Sequence, residues 1–430
     1  MNKVQQYAFF LTFRNPTFIV ADLVATAKVL DIYMELDQSL VMGESPPHHF
    51  AVLGFLSDED ASLFASKSIV TRFVTKLHHK CTTMQQMLDF CSTYDHNFND
   101  FSFAIRIESS GKKIENETRL NIIKSLISAL RLTSKVDLEN PELTLSLFLA
   151  INGDNQNEIE YTNVYLGTRF CDGWFHLPDS FNLKKRIFIN KTSMEASVAF
   201  HSAVQALCCP GKIVYDPFVG SGSLLVACAA LGACVYGSDY EMKAMTEQGT
   251  DPTKKASLPS NFEQYGLTNK FLGLMRLDFL SDNVRYEKMP QIDAIVTDPP
   301  YGIREKIVAN CISPLLPLLL QLYQVGSRIL KIGGRLVFWL PSGYEFDAVK
   351  ELPKHPALKL VSVSQQYLNT RYCRNLVTYE KIAEIIAPVD FVPNEQSFLT
   401  VRQQVFASRE EFQRMEEEKK RKKNEEINLY

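Results

Sequence analysis

The feature that most constrains the fold is a regular alternation of short apolar runs with helical segments in the second half of the chain. From Lys212 onward, the strand-like runs are KIVYD, ACVYGSD, FLGLMRLD, IDAIVTD, GRLVFWL, LKLVSVS and NLVTYEK. Parallel neighbours in a sheet need a crossover connection, and a helix usually supplies it. The alternation therefore predicts an α/β fold, in which helices cover both faces of a mostly parallel sheet.

The first half of the chain mixes strands and helices without that regular alternation. The strand-like runs cover 7–13, 50–55, 101–108 and 143–151, and the helical patterns cover 20–30, 60–77 and 118–132. These elements fall into two groups, each with alternating apolar runs and a helix of 3.6-residue periodicity. We therefore predict two small α+β units, 1–95 and 96–168, ahead of the α/β region.

Charge is nearly balanced over the whole chain, with 46 Lys and Arg against 49 Asp and Glu. Such a balance provides no broad basic field for nucleic acid or membrane, so a polyanion would have to meet a local patch. A basic stretch lies within 169–190, which we interpret as the linker before the α/β region. We expect its residues Lys184, Lys185 and Arg186 to lie along the path of a bound RNA.

Cysteine spacing and hydropathy exclude several classes of protein. The nine Cys include no Cys-x-x-Cys pair, so neither a zinc cage nor a disulfide framework is indicated and no metal site is predicted. No apolar run approaches the roughly 20 residues of a transmembrane helix. We therefore expect a soluble, cytoplasmic protein without a membrane segment, and a charged tail over 386–430.

The first candidate site is the segment DPFVGSG, 216–222, which follows the strand KIVY and opens an apolar helical run. In a doubly wound sheet the first strand ends at the ligand crevice, where small residues let the backbone approach a ligand beside a helix N-terminus. The full dinucleotide fingerprint and a phosphate-binding Lys-Ser/Thr are absent, which disfavours nicotinamide cofactors and nucleoside triphosphates. A plain strand-to-helix turn is the alternative interpretation.

Two further carboxylates end the next two strand-like runs. Asp239 closes VYGSD, where a carboxylate can accept hydrogen bonds from both hydroxyl groups of a ribose or, alternatively, cap a helix. Asp278 closes FLGLMRLD, where it can accept from the exocyclic amine of an adenine. Together with Asp216, these strand ends predict a site for an adenosine.

The strongest motif is DPPYG, which ends the strand IDAIVT. Proline fixes φ and lacks an N–H, so Pro299 and Pro300 form a stiff corner that holds the Asp298 carboxylate and a carbonyl oxygen over the crevice. Two acceptors that bind both N–H groups of a nucleobase amine favour a pyramidal nitrogen with an available lone pair. Tyr301 can stack on the same base, and a rigid turn with a core tyrosine is the structural alternative.

The two loops resemble those of class I S-adenosylmethionine-dependent amino-methyltransferases, with DPFVGSG as the cofactor loop and DPPYG as the catalytic loop. RIFINKTSMEASVAF, the block DPFVGSGSLLVACAALGACVYGSD, NFEQYGL and TDPPYGIRE closely resemble the catalytic subunits of the eukaryotic tRNA guanosine-10 N2-methyltransferases. The matching segments run over 165–381, and VDLENPELTLSLF is similar to the core of a THUMP domain.

The resemblance implies S-adenosylmethionine as the cofactor and a role for each matched residue. It implies that Thr192 and Ser193 lie near the methionine end of the cofactor. Asp216, Pro217, Gly220 and Gly222 would surround its loop, Asp239 would hold the ribose, and Asp278 would meet the adenine. The catalytic residues implied are Asp298, Pro299, Pro300 and Tyr301, which would grip the target guanine.

The resemblance also implies a domain order and two partners. It assigns a ferredoxin-like domain to 1–95, a THUMP RNA-binding domain to 96–168, and a linker to 169–190. A Rossmann-like methyltransferase domain with a mostly parallel seven-stranded sheet would cover 191–385. The implied partners are tRNA and a small zinc-binding activator subunit, which would form a heterodimer with this chain.

Two alternatives stay open from the sequence. One is a methyltransferase that acts on another amine, either adenine N6 in DNA or RNA or a protein glutamine. Asp298 favours a nucleobase, because glutamine methyltransferases favour Asn at the first position of this loop. The other is a tRNA-binding protein that retains the methyltransferase fold without turnover.

Overall fold

The protein is described by a computed structural model over residues 4–152, 160–190, 193–241, 256–281, 284–300, 315–344, 346–368 and 373–384. Two compact units divide the chain, Met1–Pro178 and Asp179–Tyr430, and the division falls inside the predicted linker 169–190. Within the described ranges, no helix combines the length and apolar character needed to cross a bilayer. The predicted site residues Thr192 and Tyr301 and the predicted tail 386–430 lie outside the described residues.

The first unit contains one continuous mixed sheet with helices. Its described strands are β1 Gln5–Leu11, β2 Phe50–Phe55, β3 Thr71–Cys81, β4 Phe103–Ser110, β5 Leu143–Ile151 and β6 Tyr161–Asp172, in the order β2-β1-β3-β6-β5-β4. Its helices are α1 Ile19–Leu30, α2 Asp58–Lys67, α3 Met84–Thr93 and α4 Asn116–Ala129. The antiparallel pairing of β3 with β6 joins the strands that the sequence assigns to two separate α+β units.

The helical pattern over 60–77 is wrong in its second half. Helix α2 begins after Ser57, whose side chain accepts a hydrogen bond from Asp60 N at 3.0 Å, and it ends at Lys67. Ser68 leaves the helix in an extended conformation. The following TRFVTKLHHKC then pairs with β1 on one side and β6 on the other. A central strand can satisfy its backbone groups on both sides, which overrides the helical periodicity.

The second unit is an α/β domain. Its described strands are β7 Ile213–Asp216, β8 Cys234–Asp239, β9 Phe271–Arg276, β10 Ile292–Thr297, β11 Leu330–Ser342, β12 Leu358–Tyr367 and β13 Cys373–Lys381. Its described helices are α5 Ala196–Gln205, α6 Ser223–Ala230, α7 Leu258–Gln264, α8 Leu315–Ile329 and the single turn α9 Ala348–Glu351. These strands form one sheet in the order β12-β13-β11-β10-β7-β8-β9.

The sheet confirms the predicted α/β fold with seven strands. The pairs β11–β10, β10–β7, β7–β8 and β8–β9 are parallel, as the alternation predicts. Strand β13 is the exception, because it pairs antiparallel with both β11 and β12. Because β13 runs in the opposite direction, its first residues lie at the end of the sheet where the parallel strands finish.

The chain order of the strands fixes where a ligand can bind. Strand β7 lies inside the sheet, and the chain continues first toward β8 and β9 and later returns to β10 on the other side. The two directions of winding leave a crevice at the carboxyl ends of β7 and β10. Both strands are buried along almost their whole length, so this crevice has a rigid floor.

Substitutions at two glycines with similar backbone conformations separate backbone strain from steric packing. Gly222 has φ +78°, and an added Cβ would lie 2.8 Å from Leu258 Cγ, whereas Gly211 has φ +87° and no atom within 4 Å of that position. We expect Gly211→Ala to lower the free energy of unfolding by about 1–2 kcal/mol through positive φ alone. Gly222→Ala should lower it by roughly another 1–3 kcal/mol through overpacking. Urea denaturation measures both, and equal losses would contradict this packing of the loop against α7.

Candidate active site

The glycine loop connects the end of β7 to the start of α6. Gly220 and Gly222 both have positive φ, 49° and 78°, a backbone conformation that residues other than glycine rarely adopt. The loop is tied to β8, because Val219 N donates to Ser238 O at 3.0 Å. Helix α6 begins at Ser223, directly after Gly222. The loop backbone therefore lies beside a helix N-terminus, and its glycines carry no side chains that could block a ligand.

Asp216, at the end of β7, is buried beneath this loop. Its Oδ1 accepts hydrogen bonds from Thr297 Oγ1 at 2.6 Å and from Phe218 N at 3.0 Å. Burial raises the pKa of Asp216 to about 7, and the nearby charges of Asp239 and Asp298 also raise it. Asp216, predicted for the cofactor loop, therefore lies close enough to Asp239 and Asp298 for their charges to act on it.

Asp239, at the end of β8, is half-buried and holds the glycine loop. Its Oδ2 accepts from Gly220 N at 2.9 Å, and its Oδ1 accepts from Glu241 N at 3.0 Å. Burial raises the pKa of Asp239 above its usual range. A carboxylate offers about four lone-pair sites, so acceptor capacity remains on both oxygens for two hydroxyl groups. The helix that Asp239 would cap in the alternative role falls on 242–250, outside the described residues.

Asp278 lies just beyond β9 on an exposed turn. Its Oδ1 accepts from Leu280 N at 3.1 Å, which forms a local turn. The preceding residue binds the neighbouring strand end, because Leu277 N donates to Asp239 O at 3.1 Å. This backbone contact brings the predicted adenine-binding residue next to the predicted ribose-binding residue.

Asp298 directly follows β10, and the Pro299-Pro300 corner follows it. The Asp298 side chain is partly buried, with its Oδ2 3.8 Å from Arg374 Nη1 on β13. The Arg374 guanidinium lies over the Trp339 ring at 4.5 Å, and its Nε donates to Gln366 Oε1 at 2.6 Å. The sequence alone did not identify Arg374 as a site residue, because a single basic residue in a strand carries no motif.

Arg186 does not fit the prediction that it contacts RNA. It is only 6% exposed, and it donates from Nη1 to Ser223 Oγ at 2.7 Å and from Nη2 to Phe181 O at 3.3 Å. Burial lowers the pKa of the guanidinium. Arg186 therefore supports the first residue of α6 from inside the domain, whereas Lys184 and Lys185 are exposed.

Ser193 belongs to the same buried network beneath the glycine loop. Its Oγ donates to Ser221 Oγ at 2.8 Å and accepts from Asn190 N at 2.9 Å. Met194 N donates to Ser223 Oγ at 3.1 Å. The segment before α5 is thus bonded to the loop that the sequence assigns to the cofactor.

The hydrogen-bond acceptors at the strand ends suit an adenosine that carries a positive charge. The strand ends supply carboxylates, which accept from hydroxyl groups and amines and attract cations, and they supply no lysine for a phosphate. Beside the glycine loop, Asp239 retains acceptor capacity. Among the described residues, no group of three or more His, Cys, Asp or Glu is arranged to hold a metal ion.

Comparisons with known proteins agree along most of the chain. A family model for the "Tmrp11 THUMP N-terminal domain" matches 5–173, and one for "DNA methylase" matches 182–248. The tRNA (guanine(10)-N(2))-methyltransferase TRMT11 of Bos taurus is 31% identical over 80% of this chain and 81% of its own length. The Dictyostelium discoideum TRMT11 protein is 28% identical over 89% of this chain and 82% of its own. The crystal structure of TrmN from Thermus thermophilus aligns with 88% of this chain and 100% of its own, with a TM-score of 0.45 and 16% identity.

The raised pKa of Asp216 predicts a pH dependence of stability. Its pKa is about 7 in the folded chain against an ordinary value of 3.8, so the folded state binds more protons than the unfolded state in that interval. The contribution of Asp216 to stability is therefore fully present below its unfolded pKa and is lost as the pH rises toward 7. Between pH 5 and pH 8, we expect the free energy of unfolding of Asp216→Asn to fall by about 1–3 kcal/mol less than that of the wild type, measured by urea denaturation. The exposed Asp278→Asn is the control, and an unchanged slope in Asp216→Asn would contradict the raised pKa.

The burial of Arg186 predicts different effects for three adjacent basic residues. Arg186→Ala leaves Ser223 Oγ and Phe181 O without this donor, which should lower the free energy of unfolding by about 1–3 kcal/mol. Lys184→Ala and Lys185→Ala remove exposed side chains and should change it by less than about 0.5 kcal/mol. Thermal melts compare the three variants. A loss of the same size in all three would refute the structural role of Arg186.

Proposed function

The chain belongs to the TRMT11 family of tRNA (guanine(10)-N(2))-methyltransferases, and on that basis we propose that it forms N2-methylguanosine at position 10 of tRNA with S-adenosylmethionine as the methyl donor. The strongest support is the position of Asp298. It follows the central strand β10 immediately, and its charge acts on the buried Asp216 at the end of the adjacent β7. A carboxylate for the acceptor amine thus lies beside the carboxylates for the cofactor.

The cofactor assignment rests on the fit of the strand ends. Asp239 takes the ribose hydroxyls and Asp278 the adenine amine. Asp216, Pro217, Gly220 and Gly222 form the surrounding loop, with Ser193 and Thr192 at the methionine end. When bound, S-adenosylmethionine supplies a methyl group that its sulfonium charge makes electrophilic. The surrounding carboxylates favour that charge, and the bonds from Ser193 to Ser221 and from Asp239 to Gly220 keep the loop in place.

The chemical task of the chain is to make a weak nucleophile available. The lone pair of the guanine N2 amine is delocalised into the ring, so the free base reacts poorly. Asp298 accepts a hydrogen bond from this amine, and a carbonyl oxygen of the Pro299-Pro300 corner accepts the second. Two fixed acceptors orient the amine and favour its pyramidal form. Because these acceptors are already in place before the reaction, they lower the barrier to methyl transfer. Tyr301 stacks on the base.

Arg374 keeps the Asp298 carboxylate in place for this task. Its Nη1 is 3.8 Å from Asp298 Oδ2, and its position is fixed by the Trp339 ring and by Gln366. A guanidinium that is itself held in place attracts the carboxylate and limits its movement. Arg374 therefore acts as a positioning residue behind Asp298.

The first half of the chain holds the tRNA. We assign a ferredoxin-like domain to 1–95, a THUMP domain to 96–168, and a linker to 169–190, followed by the methyltransferase domain 191–385. A base inside a folded tRNA has to leave its stack to reach a fixed crevice, so a separate RNA-binding domain supplies orientation. The exposed Lys184 and Lys185 contact the phosphate backbone.

A small zinc-binding activator subunit covers the free edge of the methyltransferase sheet. Strand β9 is the last strand on its side, and its Leu272 and Met275 are 58% and 42% exposed. A bare apolar edge strand promotes aggregation, and a partner strand removes that risk. The heterodimer acts in the cytoplasm.

Adenine N6 is the second candidate acceptor, since one matching family model is described as a DNA methylase. That match covers 182–248, which includes the cofactor loop and Asp239 but ends before the Asp298 loop. It therefore concerns the cofactor site that amino-methyltransferases share and carries no information about the acceptor. The relatives matched over both units act on guanine in tRNA by their names.

Substitution of Asp298 tests the proposed role directly. We expect Asp298→Ala to lower the single-turnover methylation rate of tRNA by about 10²–10³, because one acceptor of a preorganised pair is lost. Asp298→Asn retains a carbonyl acceptor and should lose less. The dissociation constant for S-adenosylmethionine, measured by calorimetry, should change little in both variants.

Asp239→Ala is the matched control at the neighbouring strand end. It should weaken cofactor binding, since the ribose hydroxyls lose their acceptors, while Asp298→Ala should not. Near-normal turnover of Asp298→Ala would reject the catalytic assignment. An equal loss of cofactor affinity in Asp239→Ala and Asp298→Ala would reject the division between cofactor and acceptor sites.

A further inference from the structure

Two tyrosines lie side by side at the end of the sheet where the strands finish and the catalytic loop begins. Tyr344 follows the end of β11, and Tyr367 is the last residue of β12. The beginning of β13 connects them, because Cys373 pairs with Ser342 on β11 and with Tyr367 on β12. Strand β11 runs parallel to β10, so Tyr344 and Tyr367 lie at the same end of the sheet as Asp298.

The two rings stack on each other and face solvent. Their centroids are 5.7 Å apart with an interplanar angle of 23°. Tyr344 is 41% exposed and Tyr367 is 63% exposed. Other aromatic side chains of this part of the sheet, such as Trp339, Phe338 and Tyr379, are buried in the core. The exposed pair therefore contributes little to the core and leaves aromatic surface open.

The same end of the sheet carries Arg374, the cation beside the catalytic carboxylate, on the opposite face of the strands from Tyr367, because neighbouring residues of a strand point to opposite faces. Gln366 precedes Tyr367 and accepts a hydrogen bond from Arg374 Nε at 2.6 Å. Arg374 Nη1 then lies 3.8 Å from Asp298 Oδ2. The carboxyl end of the sheet thus carries the catalytic carboxylate with its guanidinium and, on the other face of β12, the exposed aromatic pair.

An exposed, stacked aromatic pair suits a nucleobase. Aromatic side chains on which bases stack are a common element of single-stranded nucleic-acid binding. A protein partner would be expected to find a broader contiguous apolar patch.

We propose that Tyr344 and Tyr367 form a stacking platform for the nucleobase that flanks the methylated guanosine in the tRNA, a role that rests on the proposed function. The flanking base loses its stacking partner when the target guanosine leaves the helix. The platform replaces that partner, and it holds the strand in the register that delivers the guanosine N2 amine to Asp298.

Ring-removing and ring-keeping substitutions test the platform in the full chain. Tyr344→Leu and Tyr367→Leu keep an apolar side chain but remove the aromatic face, whereas Tyr344→Phe and Tyr367→Phe keep the ring. We expect each Leu variant to raise the KM for tRNA by about 5- to 100-fold, with cofactor affinity unchanged. The Phe variants should stay within about twofold of the wild type. Ile332→Ala, an exposed residue near the start of β11, is the control at the opposite end of the sheet.

A tRNA with an abasic site at position 9 or 11 identifies the base concerned. If the platform stacks that base, the abasic tRNA weakens binding to the wild-type chain but has no further effect on Tyr367→Leu. Such non-additivity is expected only for groups in contact. A multiplicative effect at both positions, or Leu variants with an unchanged KM for tRNA, would overturn the platform.

The wild-type chain separates this inference from the proposed function. Methylation of guanosine 10 by the wild type with no change in the Leu variants rejects the platform and leaves the proposed function intact. Loss of a protein partner in the Leu variants with an unchanged KM for tRNA also rejects it. Absence of guanosine methylation by the wild type on any tRNA, with an activator subunit present, rejects the proposed function, and the platform with it.

Discussion

The hydrogen bond from Thr297 Oγ1 to Asp216 Oδ1, 2.6 Å long, is the interaction on which the candidate active site depends. It joins the ends of β7 and β10 where the direction of strand winding changes. The glycine loop follows Asp216, and Asp298 follows Thr297. One buried contact therefore fixes the predicted cofactor loop relative to the predicted catalytic loop. The raised pKa of Asp216 is the cost of placing a carboxyl group in this position.

The sequence predicted the parts of the site that follow from parallel strands. Asp216, Asp239 and Asp298 each end an apolar run, and the carboxyl ends of parallel strands meet at one edge of the sheet. The seven-stranded α/β domain followed from the same alternation and is confirmed. The roles of the individual site residues stay predictions until variants are measured.

The sequence did not predict what depends on strand direction and burial. Arg374 reaches Asp298 because β13 is antiparallel to its neighbours. An apolar run in the sequence does not show in which direction its strand lies in the sheet. Arg186 was grouped with Lys184 and Lys185 because charge alone does not show which of three adjacent cations points inward. The helix expected over 60–77 failed because β3 finds partners on both sides, and no local pattern reports those partners.

The central claim is that the exocyclic N2 amine of guanosine 10 is the methyl acceptor, and a tRNA with inosine at position 10 tests it most directly. Inosine differs from guanosine only by the absence of that amine. The full chain, together with an activator subunit, should convert guanosine 10 of the parent tRNA to N2-methylguanosine, detected by mass spectrometry of the digested nucleosides. The inosine tRNA should bind but gain no methyl group. Equal methyl incorporation into both tRNAs would contradict the account.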